Sequence, residues 1–257
     1  MDSLLVDKLK RFSTIDFMDM KLETLFTNRR DIKYIISIDR LDAILEKLVD
    51  HYDLLVRAEK GYAQYHTGYF DTDEFSLYQD HHRGKGNRSK IRVRTYEDGA
   101  SYLEVKQKSN TGLTLKRRLP IDRRGFQLSD YSSFIEASMG PSGMDYSEKL
   151  EVTYQRITFF SKQKIEKITL DFGLTYTLGN VLFPLHGLLI GESKGVGQAH
   201  SFFNNYMRSL RVHTSSFSKY CFGVANLEAT VKSNNFKPLL RRVKKIEQSN
   251  AISSILS

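Results

Sequence analysis

Charged and apolar side chains alternate along residues 89–119 of the chain. In the first part of this segment, one set of alternate positions carries Arg92 and Arg94, and the other carries Ile91 and Val93. Because strand side chains point to opposite faces with a period of two, this alternation predicts a strand with one charged and one apolar face. The same pattern recurs twice before the segment ends, so we expect neighbouring strands to share a cationic face.

Strand-like runs occur along much of the chain. They lie near 53–58, 63–70, 89–97, 101–108, 113–120, 150–159, 165–172 and 188–194. Many strands with modest connections predict an antiparallel sheet or a barrel. Residues 1–30 have a helical pattern, Asp39 is expected to cap a helix that ends near His51, and a further helix is predicted from Gln198 to about Leu210.

Positive charge is concentrated in one part of the chain. The formal net charge is +9, and Lys and Arg far outnumber Asp and Glu between residues 80 and 125. Such a field implies a polyanionic partner. The cations either form a broad sheet face in water or line the interior of a barrel around a polyanion, and the recurrence of the pattern on successive strands favours the barrel.

Length and composition set further bounds. A chain of 257 residues is sufficient for one large domain. It has no apolar run near the ~20 residues that span a bilayer, and no signal peptide is recognisable. The lone Cys221 excludes an intrachain disulfide and fits a reducing compartment, so a cytoplasmic location is expected. The basic segment from Lys237 to Lys245 is interpreted as a solvated helix rather than a membrane-binding one.

Common sequence motifs for phosphate and metal binding are absent. The chain has neither a GxGxxG loop nor a GxxxxGK[ST] loop, and it lacks Cys/His spacing for zinc. His81 and His82 are expected in a strand or loop, where adjacent side chains point apart, so the pair is not expected to bind a metal. Any phosphate would therefore be held by side-chain cations, and the two guanidinium forks of Arg92 and Arg94 suit that purpose. Glu192 lies in a mostly apolar strand, where its carboxylate needs either a Lys or Arg partner or a metal ion.

An ordered series of motifs resembles the VTC domain (vacuolar transporter chaperone), the polyphosphate polymerase branch of the triphosphate tunnel metalloenzymes. The series runs from about Arg30 to Gly223 and comprises Arg30-Asp31-Ile32-Lys33-Tyr34, Tyr69-Phe70-Asp71-Thr72, Tyr78 with His81, Asn87 to Tyr96, Leu103-Glu104-Val105-Lys106, Lys116-Arg117-Arg118, Tyr154-Gln155-Arg156, Ile168-Thr169-Leu170-Asp171, Glu192-Ser193-Lys194 and Phe217-Ser218-Lys219-Tyr220. No single motif is specific, but their order is.

The resemblance implies an α+β fold, in which a closed, mostly antiparallel β-barrel with flanking helices encloses a basic tunnel. It implies one domain over residues 1–257, with a core at about 30–223 and a basic helical tail at 224–257. It also implies a reaction, the transfer of the γ-phosphoryl group of ATP to a growing polyphosphate chain, with Mn²⁺ or Mg²⁺ as cofactor.

Carried over by position, the resemblance assigns roles to individual residues. The catalytic cations would be Arg92, Arg94, Lys106, Arg156 and Lys219. Further phosphate contacts would come from Lys33, Lys116, Arg118, Tyr154, Lys167, Lys194 and Ser218. Glu192 would be the metal ligand. Lys167 departs from the family pattern, which usually has Arg there, and lysine keeps the charge but loses the fork.

Three other functions compete with polymerisation. The same tunnel could bind polyphosphate or phosphate without turnover. Hydrolysis of tripolyphosphate is disfavoured because hydrolytic relatives carry an acidic ExExK strand, and here the corresponding segment has only Asp31. Nucleic-acid binding is disfavoured because the cations are predicted to face inward. ATP and polyphosphate are thus the expected partners, and coupling to a membrane would need a separate subunit.

Overall fold

The structure is a computed structural model, and it describes residues 2–16, 30–56, 60–111, 113–141, 143–163, 166–195 and 201–256. Within these ranges, eleven strands form one sheet. The strands are β1 (Thr14–Asp16), β2 (Arg30–Ser37), β3 (Tyr52–Val56), β4 (Ala63–Asp71), β5 (Arg88–Tyr96), β6 (Ser101–Lys108), β7 (Thr114–Ile121), β8 (Ser147–Ser161), β9 (Glu166–Leu178), β10 (Val181–Leu185) and β11 (Leu188–Gly195).

Helices flank this sheet. They are α1 (Asp2–Leu9), α2 (Leu41–Leu48), α3 (Ser76–His82), α4 (Ser132–Met139), α5 (Phe202–Ser209), α6 (Lys219–Leu227) and α7 (Lys237–Leu256). None of the helices in the described ranges is long and apolar enough to cross a membrane.

The sheet is almost wholly antiparallel. Its main path is β2-β11-β9-β8-β4-β5-β6-β7, while β3 pairs with β8, β10 with β9, and β1 runs parallel to β3. The predicted α+β class and the mostly antiparallel sheet are confirmed. The predicted closed barrel differs from the structure in one respect. Among the described strands, the edge strands β2 and β7 are not hydrogen-bonded to each other, so hydrogen bonds do not close the sheet.

The sheet nevertheless curls, so that charges from distant strands act on each other. Lys106 on β6 is influenced by Lys33 on β2 and Lys194 on β11, although these strands are far apart in the hydrogen-bonded order. We call the concave side the inner face. Its charged positions are linked by cross-strand pairing or by alternation along a strand. They are Asp31, Lys33, Arg88, Lys90, Arg92, Arg94, Glu104, Lys106, Lys108, Lys116, Arg118, Arg156, Lys167, Asp171, Glu192 and Lys194.

The convex side of the sheet is apolar and packs against helices. Ile91 and Val93 lie in one cluster with Leu103 and Ile135 of α4, which is the apolar set that the alternation predicted. A second cluster joins α2 and α5 to the strands at the other side of the sheet. Burial of the apolar set therefore fixes the register, because a shift of one residue would turn the cations into these clusters.

Helices α6 and α7 cover one end of the inner face. Tyr220 and Phe222 of α6 and Val243 of α7 pack against apolar inner-face residues such as Ile35 and Ile190. The inner-face cations and an apolar plug thus share one face of the sheet. The basic C-terminal segment, which was interpreted as a solvated helix, instead buries an apolar side in this plug. The division of the chain into core and tail stays a prediction.

Some local predictions were wrong or incomplete. Asp39 does not cap α2; it lies in a 3-10 turn over Ile38–Arg40, and neither the turn nor α2 has a side-chain cap. The pair His81 and His82 belongs to α3, not to a strand or loop. The helical prediction for residues 1–30 was wrong in part, because α1 ends at Leu9 and Thr14–Asp16 forms strand β1. Residues 17–29 lie outside the described ranges.

Gly223 tests the packing of α6 against the sheet. A Cβ atom there would lie 2.6 Å from Leu150 Cδ2 and 2.7 Å from Tyr176 Cδ1. We expect Gly223→Ala to lower the free energy of unfolding by about 1–3 kcal/mol, because overpacking outweighs the gain in helix propensity. The measurement is urea denaturation, with Asn226→Ala on the exposed side of α6 as control. Equal stability of the Gly223 variant and the parent would show that the contact is loose.

Candidate functional site

Glu104 is the first of three carboxylates that organise the cations of the inner face. Its side chain is 1% exposed, and it accepts from Arg92 Nε at 2.7 Å, while Lys116 Nζ lies 2.6 Å from its other oxygen. Arg94 Nη1 is 4.0 Å away. Burial alone would raise the pKa of Glu104, but Arg92, Arg94 and Lys116 hold that pKa well below its usual range. Glu104 therefore stays ionised, and its ion pairs link β6 to β5 and β7.

Asp171 has the same function on β8 and β9. Arg156 contacts it through both fork nitrogens, with Nε to Oδ1 at 2.5 Å and Nη2 to Oδ2 at 2.7 Å. Lys219, the first residue of α6, donates to Oδ2. Burial opposes ionisation, yet the two cations lower the pKa of Asp171 to about 2. Lys219 also lies over the ring of Tyr154, with Nζ 4.3 Å from the centroid.

Glu192 is the third carboxylate, and it pairs across strands with Lys33 on one side and Thr169 on the other. Lys33 Nζ lies 2.9 Å from Oε1 and Lys194 Nζ lies 3.5 Å from the same oxygen. Burial would raise its pKa, but Lys194, Lys33 and Arg156 hold the pKa well below the usual range. The sequence left a cation and a metal open as partners of Glu192, and the structure shows cations.

Several buried polar atoms of the inner face have no hydrogen-bond partner within the described ranges. They include Arg94 Nε, Tyr154 Oη, Thr169 Oγ1 and Thr67 Oγ1. Arg94 and Thr67 are direct cross-strand partners, and Thr169 is opposite Glu192. Buried polar groups are nearly always satisfied, so a cluster of unsatisfied groups indicates a position for a ligand or ordered water.

The remaining predicted phosphate-binding residues differ in what holds their side chains. Ser218 is the N-cap of α6 and accepts from Lys90 Nζ at 2.8 Å. Arg118 stacks on Tyr102, with its guanidinium carbon 3.4 Å from the ring centroid. Lys167 lies over Phe160, with 5.1 Å between Nζ and the ring centroid. Arg118 and Lys167 are thus held by aromatic rings, while Ser218 is part of the charged network.

Sequence reasoning missed several members of this site. Lys90 shares the alternating set of Arg92 and Arg94, yet it was not assigned a role. Glu104 and Asp171 were included only as members of motifs, without a role, although they neutralise cations of the site. Tyr65 was also missed, and the side chains of Arg94 and Arg156 lie over its ring, at 5.5 and 5.1 Å from the centroid. The sequence signal that could have identified the two carboxylates is their place in the same alternating charged set as Lys and Arg.

The residues present could hold a divalent cation only with help from a substrate. No cluster of three or more His, Cys, Asp or Glu that could bind a metal occurs in the described part of the chain. Glu192 and the hydroxyl of Thr169 are hard oxygen donors of the kind that Mg²⁺ and Mn²⁺ prefer. Mg²⁺ is commonly held by one or two carboxylates together with substrate phosphates, and one carboxylate fits that mode.

Glu104 provides a test of the charge balance. We expect Glu104→Gln to lower the free energy of unfolding by about 3 kcal/mol, because it leaves buried cations unpaired. We expect added tripolyphosphate to raise the free energy of unfolding of Glu104→Gln by more than it raises that of the parent. Thermal unfolding with and without the anion measures both effects. The control is Asp122→Asn, which removes a largely exposed pair with Arg124 and should change little. Loss of stability without rescue would contradict an anion-binding inner face.

Comparison with known structures supports the fold. The chain resembles a candidate adenylate cyclase from Bacillus halodurans at 12% identity, over 79% of this chain and 100% of that one, with a TM-score of 0.51. It also matches the PH1819 protein from Pyrococcus horikoshii, at 14% identity over 76% and 97% with a TM-score of 0.44. An inorganic triphosphatase, NE1496, matches at 10% identity over 67% and 76% with a TM-score of 0.28. Of these three, the first has a TM-score above 0.5, and at 12% identity its likeness concerns the fold alone.

Comparison with sequence families supplies the remaining finding. No curated protein matches the chain. The sequence model of the VTC domain matches residues 28–140, while Arg156, Glu192 and Lys219 lie beyond that stretch. Residues 28–140 thus match the VTC domain family, which confirms the resemblance that the ordered motifs indicated.

Proposed function

We propose that the chain is a polyphosphate polymerase, which transfers the γ-phosphoryl group of ATP to the end of a polyphosphate chain held on the inner face. In this reaction the bond between the γ-phosphorus and its bridging oxygen breaks, ADP leaves, and a terminal oxygen of the chain forms the new P–O–P linkage. The observation that carries the proposal is the cluster of unsatisfied polar atoms around Arg94, on a face where cations outnumber carboxylates.

Phosphoryl transfer requires mainly alignment and charge neutralisation from the protein. Arg94 has a weaker carboxylate contact than Arg92 and Arg156, since its nearest Glu104 oxygen is 4.0 Å away and its Nε lacks an acceptor within the described ranges. Its fork can therefore engage a phosphate without breaking a strong ion pair. Lys33, Arg156 and Lys219 are held in position by Glu192 and Asp171 and would contact phosphates alongside it.

Tyr154 adds a donor to the same region. Burial would raise its pKa, but Arg94, Arg156 and Lys219 outweigh this effect and lower it. A phenol made more acidic by these cations is a stronger hydrogen-bond donor to a phosphate oxygen. Its hydroxyl has no partner within the described ranges, which is consistent with that role.

The metal is part of the proposal. Glu192 would hold it, with Thr169 beside it, and Lys33 would move from the carboxylate to a phosphate oxygen. When bound, Mn²⁺ or Mg²⁺ would neutralise charge on the transferring phosphates.

A non-catalytic polyphosphate or phosphate receptor is the second candidate. It is favoured by the single-carboxylate metal position and by the contact between Lys33 and Glu192. Hydrolysis of tripolyphosphate is less well supported, because Asp31, the acidic residue of the corresponding strand segment, lies opposite Lys194.

Glu192→Gln tests catalysis. The parent chain, incubated with ATP and Mn²⁺, should yield polymer on a stained gel together with ADP, and the variant should lose at least ~10²-fold in rate. Glu151→Gln, on the outer side of β8 beside His66, is the matched control and should retain activity. ADP or phosphate without polymer would indicate a hydrolase. No turnover, together with tight binding of added polyphosphate, would indicate a receptor.

Arg94→Met tests phosphate binding. Tripolyphosphate should raise the Tm of the parent, since ligand binding to the native state stabilises it. The variant should bind at least about tenfold more weakly because it loses a charge-assisted bidentate contact. Isothermal titration measures the difference, and Arg83→Met, at an exposed position at the end of α3, serves as control. Unchanged affinity in Arg94→Met would exclude Arg94 from the phosphate site.

A further inference from the structure

One end of the inner face lacks the carboxylates that brace the rest. Arg88 pairs across strands with Lys108, and Lys90 pairs with Lys106, so like charges stand directly opposite each other. We call these four residues the open cationic end. No carboxylate in the described part of the chain forms a salt bridge with any of them.

This arrangement is unfavourable without an anion. Like charges directly opposite each other in a sheet destabilise it, whereas the central residues Arg92 and Arg156 each have a buried carboxylate partner. Burial and the charges of neighbouring cations lower the pKa of Lys106 to about 8, although the charge of Asp31 opposes this shift. The pKa of Lys90 is lowered for the same reasons. The open cationic end is therefore poised to gain stability from a bound polyanion.

His81 of α3 borders this end. Its ring stacks on Phe236, with 6.2 Å between centroids at 15°, and its Nδ1 is buried without a hydrogen-bond partner within the described ranges. The charges acting on it are those of Lys90 and Arg88 on β5 and Lys108 on β6. On its own helix, Asp80 pairs with Lys85, and His82 contacts Asn235.

We propose that the open cationic end is a second anion subsite, which holds the phosphates of a chain that extends beyond the central site, and that His81 is a proton-dependent ligand of this subsite. The proposal rests on the proposed function of the inner face. The central site around Arg94 would hold a short triphosphate, and the open end would contact only longer chains.

The physical argument predicts a pH dependence with a defined sign. In the free protein, burial and then the charges of Lys90, Arg88 and Lys108 lower the pKa of His81 to about 3, so the ring is neutral at neutral pH. A bound phosphate neutralises these cations and accepts a hydrogen bond from the protonated ring, which raises the pKa of His81. Binding then takes up a proton, and the affinity for a long chain increases as pH falls.

The test compares tripolyphosphate with a long-chain polyphosphate by isothermal titration between about pH 7 and about pH 5.5, a range that lies below the lowered pKa of Lys106. We expect the preference for the long chain to increase by about tenfold or more on acidification. His81→Gln should lose this increase. His66→Gln, an exposed histidine beside Glu151 on the outer side of β4, is the matched control and should keep it.

A second measurement does not depend on affinity. In the parent chain, the His81 ring signals in NMR spectra of histidine-labelled protein should report a higher pKa when long-chain polyphosphate is present. Lys108→Gln should reduce long-chain affinity more than tripolyphosphate affinity, whereas Lys60→Gln, at an exposed position next to Gly61, should change neither.

The outcomes separate the two proposals. Binding of both anions with the same pH dependence in the parent and in His81→Gln would overturn the second subsite and leave the proposed function intact. An unchanged His81 pKa with long-chain polyphosphate bound would also overturn it. No binding of either anion by the parent at any pH would overturn both proposals.

Discussion

The ion pairs between buried carboxylates and inner-face cations are the constraint on which the rest of the structure depends. Many cations on one concave face would repel each other and resist burial. Glu104 and Asp171 offset this repulsion in the centre, and each contacts two cations from different elements. The side chains are thereby fixed in orientation while the face as a whole remains positive, a combination that suits a phosphate ligand.

A second buried carboxylate network holds the helices that border this face. Asp71, at the end of β4, accepts from the backbone amides of Leu77 and Tyr78 in α3 and from the hydroxyl of Tyr220 in α6. Tyr220 directly follows Lys219, so this contact sets where Lys219 meets Asp171. The apolar plug and the charged site are therefore coupled through one helix, and packing defects at Gly223 are expected to reach the site.

Much of the fold was predictable from local pattern, because strand alternation depends only on neighbours in sequence. The charged set of β5 and the apolar set packed on α4 followed from it directly. Boundaries were less predictable: Asp39 has the chemistry of a helix cap, but the backbone forms a 3-10 turn there and α2 begins later. His81 was assigned to a strand or loop because α3 is short and its burial depends on contacts with α6 and on Phe236.

The sequence by itself determined that the chain would present Arg and Lys on one face of successive antiparallel strands, and its ordered motifs indicated the VTC family. Only the tertiary structure decided which cations are neutralised. Glu104, Asp171 and Glu192 meet partners on neighbouring strands or on α6, and strand order and register cannot be derived from alternation alone. The tertiary structure also decided that the central cations have carboxylate partners, whereas those of the open cationic end do not. The free energy of a charge depends on its burial and on its distance from other charges, and no local sequence pattern specifies these.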